Sequence, residues 1–302
     1  MHPKLQHMTY TLYIGDKSFS SWSLRGLLML ENFNLPYRSK NIGLYSGHMA
    51  QDMAPLAPAR LVPVLQTPEG DVVQDTLAIA ETLAERHPDA GLWPRDASAR
   101  TFARWIVAEM HSGFGPLRET CPMNLRQAID GFDVPEAVLR DLERIELLWS
   151  TAQERFGRAD SPWLFGDYSL ADVFYAPVAA RIAGYGLPVG PAAQAYVQAH
   201  LSDPAFRRWR AEGLCVSYDP VPYENAFPAD AERRPWPGPA RLPARAIDHG
   251  PSENATCPYS GDPVTDFLEL NGRVFGFCNA FCRDKTVNDA AAYPKFMTIY
   301  QS

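Results

Sequence analysis

The run Leu61-Val62-Pro63-Val64-Leu65 constrains the fold more than any other stretch of this 302-residue chain. A proline inside an apolar, strand-like run removes a ladder donor, so the run must lie at an edge or a bulge. An X–Pro bond is also where a cis peptide comes at modest cost. A cis bond here would turn the carbonyl and N–H of Val62 outward, ready to pair with an extended peptide. Shortly afterwards Glu69-Gly70 reads as a turn, Val72-Val73 as a short strand and Asp75-Thr76 as a helix start. Helix starts offer short polar side chains and free N–H groups to an anion. Together the strand edge and the helix start predict a site for a small acidic peptide.

The surrounding pattern gives that site a frame. Thr9–Tyr13 alternates as a first strand, and Leu24–Phe33 carries leucines and Met29 at helical spacing. Tyr37–Ile42, Val62–Gln66 and Asp71–Val73 read as three further strands, and Leu77–Arg86 as a helix closed by His87-Pro88. The order βαβ, loop, ββα makes residues 9–88 a thioredoxin-like α/β unit. Residues 96–216 read as an all-helical domain with helices over Ala97–Gly113, Pro135–Phe156, Ser169–Tyr185, Pro191–Ser202 and Pro204–Gly213. Ser169-Leu170-Ala171-Asp172 is a capping box in its Asp form. Residues 217–255 are proline-rich and read as an extended linker or wrapping tail. Residues 256–300 regain turns and strands and form a candidate mini-domain. The expected fold class is therefore α/β plus all-α, with a small third module.

Net charge −7 argues against nucleic acid as a partner. No apolar stretch approaches the ~20 residues that span a bilayer. The N-terminus lacks the apolar core of a signal peptide, with Met8 a plausible natural start, so a cytoplasmic location is expected. Five cysteines, three of them near the C-terminus, suit free thiols or metal ligands better than a disulfide framework.

A Ser-Ser opening to the first helix, a Val-Pro strand, an Asp-Thr helix start and a helical second half resemble a cytosolic glutathione S-transferase. The resemblance covers roughly residues 9–216. The nearest pattern is the serine-dependent group that includes the zeta class, whose Ser-Ser-Cys-Ser-Trp-Arg lies without gaps on Ser20-Ser21-Trp22-Ser23-Leu24-Arg25. It implies glutathione as co-substrate, a small electrophile as its partner, and a homodimer. By the same resemblance Ser20, or Ser21, holds the glutathione sulfur as thiolate. Leu61, Val62 and Pro63 then meet the tripeptide backbone, and Asp75 and Thr76 its γ-glutamyl end. Lowering a thiol pKa by about two units needs ~2.7 kcal/mol. A charged hydrogen bond gives ~1.5–3 kcal/mol and a helix N-terminus ~0.3–2, so the two suffice. The two serines are equally suited to capping the first helix. Trp22 stands where the zeta class has cysteine, which counts against a zeta-type cis–trans isomerase. In the helical half Glu109, His111 and Arg118 are candidates for contacting the electrophile, against the alternative of a solvated helix end with an Arg–Glu pair.

The second signal is Cys257-Pro258-Tyr259-Ser260-Gly261 followed by Phe277-Cys278-Asn279-Ala280-Phe281-Cys282. Between them a hairpin turns at Asn271-Gly272, and a short helix runs from Cys282 to about Ala292. The arrangement is similar to the YHS/TRASH group of treble-clef-like metal-binding modules. Cys257, Cys278 and Cys282 are candidate ligands for zinc, with Ser260 where a fourth cysteine would complete a pair. Asp262 and His249 are candidates for the fourth position, and three thiolates alone suit Cu(I). A metal-free fold with buried thiols and a Cys278–Cys282 redox pair are the alternatives. At the level of function, a serine-type glutathione transferase stands against a non-catalytic scaffold with a metal-binding or sensing role.

Overall fold

The computed structural model describes residues 9–43, 46–217 and 231–302. They divide into two compact units. The first takes the chain up to Leu201 and the described part of Asp219–Pro237; the second takes Ser202–Tyr218, as far as it is described, and Gly238–Ser302.

The first unit begins with a thioredoxin-like half. Its elements are β1 (Tyr10–Ile14), α1 (Ser21–Glu31), β2 (Tyr37–Asn41), α2 (Met49–Met53), β3 (Val64–Gln66), β4 (Val72–Gln74) and α3 (Thr76–Arg86). The sheet order is β2-β1-β3-β4, with β1 parallel to β2 and antiparallel to β3, and β3 antiparallel to β4. Tyr10, Leu12 and Ile14 are fully buried, as a central strand with covered faces requires. The expected strand Val62–Gln66 starts two residues later, at Val64. Pro63 thus stands ahead of the ladder, where its missing N–H costs nothing, and the Val62–Pro63 peptide is cis. A Cβ at Gly26 would lie 3.1 Å from Pro63 Cβ and 3.3 Å from Leu12 Cδ1, so only glycine lets α1 approach this closely.

The helical half contains α4 (Ala97–Ser112), α5 (Gly115–Thr120), β5 (Ala128–Asp130), α6 (Glu136–Phe156), α7 (Leu170–Tyr185) and α8 (Pro191–Ser202). Every residue of α7 is buried, as befits a helix apolar on all sides. Its capping box forms as expected between Ser169 and Asp172. The proline-rich segment is more than a linker. β6 (Glu232–Arg234) pairs with β5, and Arg234 donates from Nε to the carbonyl of Ile129 at 3.1 Å and from NH2 to that of Ala183 at 2.5 Å.

In the second unit, α9 (Pro204–Gly213) accompanies β7 (Ala244–Ile247), β8 (Asp266–Leu270), β9 (Arg273–Phe277), α10 (Ala280–Asn288) and α11 (Pro294–Gln301). The sheet runs β7-β8-β9, all antiparallel. Asn271 and Gly272 take φ of 52° and 79°, the pair of positive values an Asn-Gly hairpin turn demands. Leu268, Leu270, Phe275, Phe277 and Phe296 form the core, joined by Ala211 of α9. Asn288 Nδ2 donates to the carbonyl of Ala211 at 3.0 Å. Two sequence boundaries shift accordingly. The expected domain end at 216 falls inside this unit, and the expected linker 217–255 contains both β6 and β7.

Candidate functional site

A cavity of about 570 Å³ in the first unit gathers most of the sequence-predicted site. Ser20, Ser21, Leu61, Val62, Pro63, Asp75, Thr76 and Arg118 all line it. Glu109 and His111 do not. Phe19, Trp22, Met49, Gln74, Pro122, Met123 and Arg181 complete the wall and escaped the sequence reading as pocket residues.

Ser20 is the N-cap of α1. Its oxygen accepts from Ser23 N at 3.3 Å and its hydroxyl meets Ser23 Oγ at 2.8 Å. Ser23 Oγ in turn accepts from Gly15 N at 2.9 Å. Ser21 opens the helix, half-buried, and its hydroxyl bonds to no other described residue. Capping and pocket-lining therefore coincide in Ser20 rather than exclude each other.

The opposite wall is built by α3 and the loop before β3. Gln74 Oε1 accepts from the backbone N–H of Arg60 and, at 2.8 Å, of Leu61, which pins that loop to β4. Asp75 caps α3, its Oδ1 accepting from Leu77 N at 2.8 Å and Ala78 N at 3.4 Å. Its φ of 83° lies in the left-handed region, a conformation that non-glycine residues keep mainly where the surrounding structure holds it, often at binding sites. Thr76 is fully buried against the cavity, and its Oγ1 bonds to no other described residue. A helix N-terminus, an unpartnered hydroxyl and a fixed cap make a receptor for a carboxylate.

His111 lies behind this wall. Its Nε2 is 3.2 Å from Asp75 Oδ2, and its ring meets Trp22 edge-on at 5.3 Å. It supports the cap instead of lining the cavity. Glu109 is tied to Arg144 by bonds of 2.7 and 3.0 Å and to Trp105 Nε1 at 3.1 Å. Its carboxyl is held below the ordinary range, first by the hydrogen bond from Arg144. Of the three candidates only Glu109 is held in an Arg–Glu pair, and its partner is Arg144 of α6.

Residues 19–86 match the family model described as the glutathione S-transferase N-terminal domain. A probable maleylacetoacetate isomerase of Caenorhabditis elegans is 28% identical over 184 residues, 60% of this chain and 82% of the relative. A maleylacetoacetate isomerase of Pseudomonas aeruginosa is 29% identical over 203 residues, 65% of this chain and 93% of its own. A glutathione transferase homologue from Burkholderia, solved with bound glutathione, superposes with a TM-score of 0.51 at 25% identity, covering 69% of this chain and all of that one. Residues 19–86 of this chain thus carry a glutathione S-transferase N-terminal domain, and its first two thirds are similar to proteins of that superfamily. Ure2p in complex with S-hexylglutathione, at 17% identity and TM-score 0.52 over 67% of this chain and 97% of that one, shares the fold alone.

Outside the transferase fold, the Sγ atoms of Cys257, Cys278 and Cys282 lie within 4.8 Å of one another. Cys278 and Cys282 are 3.9 Å apart, and Ser260 Oγ is 3.3 Å from Cys278 Sγ. Burial opposes ionisation of Cys257, but N–H groups of Ser260 and Tyr259 outweigh it and bring the thiol down to about 7. Burial pushes Cys282 up to about 12. Among the described residues no His, Asp or Glu joins the three sulfurs, so Asp262 and His249 are not ligands in this arrangement. Cys121 is buried and driven up to about 12 by that burial, which makes it core packing rather than a nucleophile. No helix among the described residues is long and apolar enough to cross a membrane.

Proposed function

We propose that the cavity binds glutathione and that the protein is a glutathione-dependent transferase adding the thiolate to a small electrophile. One observation carries this reading. Ser20 and Ser21 share one cavity with Val62-Pro63 and with the Asp75-Thr76 helix start, as a tripeptide with an acidic end and a central thiol requires. The γ-glutamyl carboxylate would meet Thr76 Oγ1 and the N-terminus of α3, and the cysteinyl backbone would pair with Val62. Ser20 would donate to the sulfur while Ser23 turns its hydroxyl proton toward Ser20, so that the two hydroxyls polarise one another. Losing that donor should lower kcat/KM roughly tenfold to a hundredfold. Calorimetric glutathione binding and conjugation assays on the wild type, Ser20→Ala and Ser21→Ala test it. A wild type that neither binds glutathione nor catalyses thiol transfer ends the proposal.

A second reading, glutathione-dependent cis–trans isomerisation, is favoured by the names of the C. elegans and P. aeruginosa relatives. It starts from the same addition, followed by bond rotation and loss of the thiolate. Trp22 in place of the zeta-class cysteine weighs against it, and product stereochemistry decides.

For the second unit we propose that Cys257, Cys278 and Cys282 hold zinc or another thiophilic ion. Three convergent sulfurs fit such an ion, and a module this small ordinarily needs a staple. Metal content of the purified chain, with and without Cys278→Ser, is the measurement. The homodimer that the resemblance implies is part of the same proposal and is read by light scattering.

A further inference from the structure

We propose that Ser260 stays out of the coordination shell formed by Cys257, Cys278 and Cys282, and that the fourth position takes the sulfur of a small external thiol. This deepens the metal-binding reading of the second unit and rests on it.

The three cysteines are placed by a turn and a helix start. Cys257 opens a turn that Gly261 closes, its N–H donating to the Cys257 carbonyl at 2.9 Å. Cys278 directly follows β9, and Cys282 lies in the first turn of α10. Asn279, the N-cap of α10, accepts from Cys282 N at 2.9 Å through Oδ1 and donates from Nδ2 to Cys278 Sγ at 3.3 Å. One amide thus orients both of these cysteines. Cys257 and Cys282 belong to the apolar core of the unit, at 2% and 9% exposure. Cys278 is only half-buried, and Ser260, Asn279 and Phe281 are exposed. The sulfur triangle therefore has a dry side and a side that reaches solvent.

Ser260 stands nearest the fourth position, yet its hydroxyl is already committed. Oγ donates to Cys278 Sγ at 3.3 Å and accepts from Asp262 N at 3.3 Å. A neutral hydroxyl is also not among the thiolate, imidazole and carboxylate donors that zinc takes. Among the described residues no His, Asp or Glu joins the sulfurs. Closed structural sites use four protein ligands, whereas three leave a position for an exchangeable one. The Ser260 hydroxyl and the Asn279 amide act instead as outer donors, steadying the charge on the one sulfur that meets solvent. An ion suited to three thiolates is thiophilic and takes a further sulfur ahead of an alcohol oxygen. The incoming thiol binds as thiolate and gives its proton to solvent. Its carbon chain can lie along the ring of Phe281, 48% exposed and one residue before Cys282.

The full chain loaded with Co(II), whose visible absorption reports the sulfurs bound to it, is titrated with 2-mercaptoethanol and with its oxygen counterpart ethane-1,2-diol. In the wild type the thiol should raise the sulfur-to-cobalt band about 1.3-fold, the step from three sulfurs to four. The rise should saturate, with cobalt retained on dialysis, and the diol should produce none. Ser260→Cys should start at the raised value and lose the response. Ser260→Ala removes the hydroxyl without adding a sulfur and should respond as the wild type does. A wild-type band that the thiol leaves unchanged, an equal response to the diol, cobalt stripped by the thiol, or a Ser260→Ala protein that no longer responds overturns the proposal. In those cases a cobalt–sulfur band that is present before thiol and absent from Cys278→Ser keeps the metal reading. A chain that takes up no cobalt ends both.

Discussion

Asp75 holds a left-handed backbone that costs an L-residue roughly 1–3 kcal/mol, and its two carboxylate oxygens serve different elements. Oδ1 caps α3, while Oδ2 faces His111 from α4. The helical half of the unit thus reaches the wall proposed for the γ-glutamyl end through one imidazole. Removing that imidazole should loosen the wall without touching the serines. His111→Ala is expected to raise the KM for glutathione about threefold to tenfold, the loss of one hydrogen bond to a charged group shared with solvent, with kcat held within about twofold. His111→Gln keeps a donor and should recover part of the change. Steady-state kinetics at saturating electrophile separate the two constants; a fall in kcat with KM untouched would move His111 from support to chemistry. The sequence marked His111 as polar near a frayed helix end but not what it would face, because its partner lies on another element.

At the scale of the element, what could be read was what is encoded locally. Asn271-Gly272 demanded a hairpin, Ser169 with Asp172 a helix start, and Val62-Pro63 a break beside a strand; each is enforced by residues a few positions apart. The unread pieces depend on distant partners. Ala128 pairs with Arg234 and Ala244 with Leu270, and three- or four-residue strands carry too little alternation to announce themselves. Arg181 was invisible for a related reason, since a helix buried on every side shows no periodicity to single out one face. The capping box of α7 also makes a thermodynamic prediction. Burial raises the Asp172 carboxyl from 3.8 to about 6, against the opposing hydrogen bonds from Ser169 N, Tyr196 OH and Leu164 N. The folded state therefore binds this proton more tightly than the unfolded chain does. Its stabilising effect is complete below 3.8 and is lost as pH rises through about 6, a change on the order of 3 kcal/mol. Asp172→Asn should flatten that slope and, by leaving donors unmatched, cost about 1–3 kcal/mol at pH 4. Urea midpoints of both proteins between pH 4 and 7 give the answer; parallel pH profiles would refute it.

Across the whole molecule, the two units do not divide where a helical domain would be expected to stop. α9 supplies Ala211 to the core of the cysteine unit, and its Arg207 grips Asp289 with bonds of 2.9 and 2.6 Å. Both partners of that pair are mostly shielded, at 16% and 10% side-chain exposure. A two-pronged, shielded pair is costly to break because the surviving charge stays buried. Arg207→Ala in the full chain should therefore destabilise the second unit by roughly 3–5 kcal/mol. The cavity residues all belong to the first unit, so glutathione binding should persist. Differential scanning calorimetry should show one transition moved down and one in place, and restoring charge with Arg207→Lys should recover less than half, since a lysine cannot reproduce the fork. A single transition that shifts as a whole would mean that the two units unfold together and that α9 stabilises the transferase fold as much as the cysteine module.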